Sequence, residues 1–153
     1  MPSHESKPNR RSIRLRDYDY TQPGAYFITI CAHDRACVFG DVVGGEMRLN
    51  DAGWMVTNWF NELENHFNVI MCDEFVCMPN HVHFVLQIVG ADRCEHGRTH
   101  RSAPTDVRGM PAAVQWFKTM TTNMYIRGVK YDNWPPFNKK LWQRNYYEHI
   151  IRN

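Results

Sequence analysis

The sequence has no apolar run near the ~18 residues that a membrane span requires. Its opening stretch, MPSHESKPNRRSIRLR, holds no apolar segment of signal-peptide type. It contains no CxxC pair, and its five cysteines (Cys31, Cys37, Cys72, Cys77, Cys94) are an odd number. Neither a disulfide framework nor a zinc knuckle is indicated, and a reducing, cytoplasmic setting is the expectation. There are no internal repeats. Acidic residues are scarce at both ends: residues 1–16 carry Lys7, Arg10, Arg11, Arg14 and Arg16 against Glu5 alone. Residues 109–153 carry seven basic side chains against Asp132 and Glu148. The middle is the reverse, with nine acids in residues 34–92 facing only Arg35 and Arg48. A net charge of +2 hides this asymmetry. Basic ends around an acidic middle suggest a polyanion bound along one side.

What is present is globular. With 43% hydrophobic and 22% charged residues, the composition is that of a folded domain rather than a disordered chain. A length of 153 residues suits one domain with a real core. After the basic arm, Pro23-Gly24 predicts a turn and residues 26–33 a strand. Residues 37–49 read as a hairpin through Gly44-Gly45. Asn50 or Asp51 can cap a helix, and Trp54, Met55, Trp59 and Leu63 supply its apolar stripe. A second strand covers residues 69–77. Residues 90–109 have almost no apolar content and read as a mobile loop, with His96 and His100 exposed there. Pro111, favoured in a first helical turn, opens a helix through Val114, Phe117, Lys118, Thr121, Met124 and Tyr125, which Gly128 closes. The Pro-rich stretch YDNWPPFNKK predicts no regular structure, and LWQRNYYEHIIRN reads as a last strand.

The most informative stretch is CMPNHVHFVLQIV, residues 77–89. The Pro79-Asn80 turn pair bounds a β-branched and aromatic run, so a strand starts near His81. Successive strand side chains alternate between faces. Val82, Phe84, Leu86 and Ile88 therefore form one apolar face, and His81, His83, Val85 and Gln87 form the other. Two imidazoles project the same way, which suits two nitrogens reaching one metal ion. The complete order is β-α-β-β-α-β, an α+β, ferredoxin-like arrangement with an antiparallel sheet. Right-handed crossovers place both helices on one face, leaving the histidines on the other. The predicted organisation is a basic arm over residues 1–20 and a single domain over residues 21–153.

The stretch MPNHVHFVL resembles the histidine-hydrophobic-histidine (HUH) motif of the single-tyrosine transposases. LWQRNYYEHIIRN is similar to the WQ-aromatic-His-Ile-Arg segment of the REP-associated tyrosine transposases, and GAYFITICAHDRACVFG to their first strand and turn. The resemblance runs from about residue 20 to the end. It implies an endonuclease and strand transferase acting on single-stranded, hairpin-bearing DNA, through a divalent metal (Mg²⁺ or Mn²⁺) on His81 and His83 and a phosphotyrosine intermediate. It also implies a nucleophilic tyrosine and a third ligand on a helix after the last strand, beyond Asn153. Within the chain, Tyr146 and Tyr147 are the nearest candidates, though both match the strand. Arg10, Arg11 and Arg14 are expected to form a phosphate-binding arm. Lys139, Lys140, Arg144 and Arg152 are expected to line the DNA path, with Trp134 or Trp142 stacking on unpaired bases. A homodimer is the expected assembly. Two alternatives stay open: a DNA-binding module without catalysis, and an unrelated metal hydrolase using His81, His83 and Glu148.

Overall fold

The computed structural model of the chain describes residues 17–89 and 109–152. The expected arm residues Arg10, Arg11 and Arg14, and the expected loop with Cys94, His96 and His100, lie outside the described residues. Ten elements follow in order: β1 (Gly24–Cys31), a 3-10 turn (His33–Arg35), β2 (Gly40–Val43), β3 (Glu46–Leu49), α1 (Asp51–Asn61), α2 (Leu63–His66), β4 (Ile70–Met78), β5 (His81–Ile88), α3 (Gly109–Tyr131) and β6 (Tyr147–Ile151). The main sheet runs β4-β5-β1-β6 and every pair in it is antiparallel. This is the ferredoxin-like order, with the β2-β3 hairpin inserted between β1 and α1.

Local chemistry explains the boundaries. Gly44 and Gly45 both take positive φ, 61° and 82°, the combination that a tight two-residue hairpin turn demands. Asn50 caps α1, its side-chain oxygen accepting from the Gly53 N–H at 2.9 Å. The helical stripe is rotated from the predicted one: Ala52, Met55, Val56, Phe60 and Leu63 are buried, while Trp54 is 58% exposed. Gly128 does not end α3, which continues to Tyr131. It is a seat instead: a Cβ there would collide with the Trp134 ring. The predicted arm also ends earlier than residue 20. Tyr18 and Tyr20 pack edge-on at 5.0 Å, and Tyr20 is buried in the core beside Tyr26. Two aromatic rings bury too much apolar surface to remain in a solvated arm.

One sheet face makes the core. Tyr26, Ile28 and Ile30 of β1, with Val82, Phe84, Leu86 and Ile88 of β5, are almost fully buried against the helices, where they meet Phe60, Leu63, Val114, Phe117 and Tyr125. β4 joins this face through a bulge between Cys72 and Phe75. One extra residue resets the alternation, so Phe75 and Cys77 pair with Phe84 and Val82 on the core side. The last predicted strand is shorter than expected, because β6 begins only at Tyr147. Leu141 and Trp142 are core residues that lie beside the end of β1, with Trp142 bridging to Ala32.

Candidate functional site

His81 and His83 open β5 directly after the Pro79-Asn80 turn, and sheet alternation sets both on the uncovered face. Their ring centroids are 4.7 Å apart, at 78° to each other. Each ring is held at Nδ1. Asn80 donates its amide N–H to the Arg35 carbonyl at 3.3 Å, which leaves its side-chain oxygen to meet His81 Nδ1 at 2.7 Å. An amide oxygen only accepts, so Nδ1 carries the proton and Nε2 keeps its lone pair. His83 Nδ1 meets the Thr29 hydroxyl at 2.8 Å, and Phe27 stacks on the ring at 5.4 Å. A hydroxyl serves either role, so a metal on Nε2 would make Nδ1 the donor to Thr29.

Burial, then the neighbouring His83, then Arg35 hold the His81 imidazole below its ordinary value of 6.5. The ring is therefore neutral at pH 7, as a metal ligand must be. The sequence pattern shows Asn80 as part of the turn and of the MPNHVHFVL stretch but not as a support for His81. Thr29 stands between Ile28 and Ile30, where a polar break in an apolar strand is the one local signal of its role. Nothing in the local pattern singles out Arg35. Its carbonyl orients Asn80 and its positive charge reaches His81.

The two candidate tyrosines separate cleanly. Tyr146 turns inward, its hydroxyl 3.7 Å from Met110 Sδ. Tyr147 pairs with Thr29, which pairs with His83 on its other side, so it shares the histidine face and is 55% exposed. His149 lies on the same face opposite Phe27. Glu148, the acid of the hydrolase alternative, pairs with Ile28 and faces the helices. Its carboxylate oxygens are buried there without a hydrogen-bond partner among the described residues. Strand parity thus removes it from the histidines. Among the described residues, no group of three or more His, Cys, Asp or Glu side chains forms a metal site, so His81 and His83 stand as a pair.

The expected DNA-contact residues divide too. Lys140 and Arg144 are exposed and line one cleft with Lys118. Lys139 is exposed but outside that lining, and Arg152 follows β6 at the end of the sheet away from His81. Trp142 is no stacking platform. It is 3% exposed, stacks on Phe39 at 4.9 Å and donates to the Thr121 hydroxyl at 2.9 Å. Trp134 is occupied by Gly128 and Tyr125. Among the described residues, no helix is long and apolar enough to cross a membrane.

An uncharacterised protein of Haemophilus influenzae is 37% identical to the chain over 150 residues, covering 95% of this chain and 80% of that protein. The chain belongs to that protein's family. No described family profile matches the sequence. Among solved structures, a REP-associated tyrosine transposase bound to a REP hairpin superposes with a TM-score of 0.53 at 16% identity, over 92% of this chain. The chain spans 62% of that transposase's length. A Deinococcus radiodurans protein assigned as a transposase gives 0.53 at 15% identity, over 91% of this chain and 85% of its own. The chain therefore has the fold of the tyrosine transposases, and its histidine pair stands on the uncovered face of that transposase fold.

Proposed function

We propose that the chain is a DNA-processing protein of the HUH tyrosine-transposase kind, which binds single-stranded, hairpin-bearing DNA and presents a phosphate to His81 and His83. The carrying observation is the pair of Nδ1-anchored imidazoles, side by side on the open sheet face of a transposase fold. Mg²⁺ or Mn²⁺ on the two Nε2 atoms would supply Lewis-acid polarisation of the phosphate, and imidazole suits Mn²⁺ better than Mg²⁺. The remaining work belongs to the protein. Thr29 and Asn80 fix the rings, and Arg35 adds positive charge beside them for the phosphate.

A phenol attacks only when deprotonated or held in line with the leaving oxygen. Tyr147 shares the face, but its backbone is two strand spacings, about 10 Å, from that of His83. Its strand position favours a binding role in these 153 residues, with the attacking tyrosine on a further helix as the resemblance implies. The test mixes the chain with labelled hairpin DNA carrying a single-stranded flank and Mn²⁺, measures binding, then denatures and looks for a covalent adduct. Binding that Mn²⁺ strengthens, with no adduct, is the expected result. An adduct lost in Tyr147→Phe would instead make Tyr147 the nucleophile. No binding at all would overturn the reading.

A further inference from the structure

A shallow, open cleft of about 520 Å³ lies between α3 and the 140–144 segment. Lys118, Lys140 and Arg144 line it together with Gln115, Asn123 and Gln143, and no carboxylate contributes to the lining. Among the described residues, no lysine or arginine lies within ion-pair distance of a carboxylate, and the single contact of that kind is His33 with Asp34 at 3.5 Å. The three cations are thus gathered without a counter-ion. We propose that this cleft is a second nucleic-acid subsite, taking a phosphate-linked unpaired nucleotide from the same strand that the histidine face engages. This inference rests on the DNA reading above.

Three features favour that occupant. Lys118 is clamped, its ammonium donating to the Gln143 carbonyl at 2.6 Å and the Arg144 carbonyl at 3.1 Å. The clamp holds the segment that carries the exposed cations at a set distance from α3. Burial first, and then the like charge of Lys140, push Lys118 down to about 8. An arriving phosphate relieves such repulsion. The cleft lies at the sheet edge level with the histidine end of β1. Gln143 N–H donates to the Cys31 carbonyl at 2.9 Å, His33 N–H donates to the Leu141 carbonyl at 2.8 Å, and Cys31 pairs with His81. The backbones of Gln143 and His81 are two strand spacings apart, about 10 Å, but the cleft is on the α3 side and the histidines are on the other face, so a single strand that touches both passes around the sheet edge at residues 143 and 144. The lining offers amides and cations but no free aromatic ring, since Trp142 is buried. Contact with the sugar-phosphate backbone, rather than base stacking, is the match.

The experiment compares two labelled DNAs by fluorescence anisotropy across a salt series: a hairpin with an unpaired flank, and the same hairpin cut flush. Lys140→Ala, Arg144→Ala and the double variant are tested, with Lys130→Ala on the exposed end of α3 as control. The double variant should weaken binding of the flanked hairpin and flatten its slope of log affinity against log salt by about 1.4, at ~0.7 per single-strand phosphate. The flush hairpin and the control should be unaffected. Unchanged slopes with intact binding would overturn the cleft and leave the DNA reading standing. Equal losses on both DNAs would place the cations on the stem and overturn it as well. Failure of the unaltered chain to bind either DNA would overturn both claims.

Discussion

Along β5, Val82, Phe84, Leu86 and Ile88 face the helices and are at most 4% exposed, while His81, His83, Val85 and Gln87 lie one residue out of step on a face that neither α1 nor α3 covers. The same holds on β1, where Ile28 is fully buried and its neighbour Phe27 is 38% exposed. Val76, Tyr147 and Ile151 extend the open face, each 40% exposed or more. The two faces therefore divide the labour. Apolar burial concentrated on one side holds the sheet together, since each large side chain removed from water contributes about 1.5–3 kcal/mol. The other side contributes less and is free to hold polar groups in fixed positions. Even there the histidines are not loose, because Thr29, Asn80 and Phe27 pin them.

The contrast can be broken most directly by truncating neighbours on opposite faces. Phe84→Ala opens a cavity between Phe60, Phe75 and Phe117 and should lose about 3–5 kcal/mol in urea unfolding. Val85→Ala, one residue along and half-buried, should lose under ~1 kcal/mol. Equal losses would mean that the open face is packed against something.

A smaller effect is expected when the polar pair is removed. His81→Ala or His83→Ala should weaken Mn²⁺ binding by more than tenfold, about 1.4 kcal/mol, with the urea midpoint close to that of the unaltered chain. Calorimetric titration reads the first and urea unfolding the second. Unchanged affinity in both variants would remove the metal assignment from this face.

Glu148 sharpens the comparison from the covered side. Its two side-chain oxygens are buried without a hydrogen-bond partner among the described residues, and such unmet polar groups are destabilising, so Glu148→Met should raise stability by about 1 kcal/mol. A lower urea midpoint for that variant would show that the carboxylate has a partner.

The smallest expected effect is the pH response of the open face. Burial, His83 and Arg35 place His81 below 6.5 in the folded chain. The unfolded chain accepts that proton at the higher pH. Its contribution is therefore complete above about pH 6.5 and is lost as pH falls through the folded value. His81→Gln should shrink the drop in urea midpoint between pH 7.5 and pH 5, and Mn²⁺ affinity should fall over the same window. An undiminished drop in that variant would assign the acid response to other groups.

Much of this was legible from local pattern. Strict alternation from His81 to Ile88 told the two faces of β5 apart, because a strand side chain has a choice of only two directions. The paired glycines at 44 and 45 and the cap at Asn50 announced their turns by the backbone conformations and hydrogen bonds that those residue types favour. Trp142 and Glu148 could not be read this way. An aromatic residue in a basic segment suits a DNA surface, and an acid near a histidine suits a metal site, until strand pairing shows which way each points. β4 was opaque for a related reason: its bulge shifts the alternation by one residue, and a bulge depends on the partner strand.

The sequence by itself determined the β-α-β-β-α-β order, the apolar faces and the adjacency of the two histidines, since periodicity and turn chemistry act over a few residues. The tertiary structure alone decided what stands beside those histidines. Thr29 reaches His83 from 54 positions away, Arg35 reaches His81 through a turn held by Asn80, and Lys118 meets residues 143 and 144 across a cleft. Such neighbours come from strand register and helix packing, which join distant parts of the chain only after the core has closed.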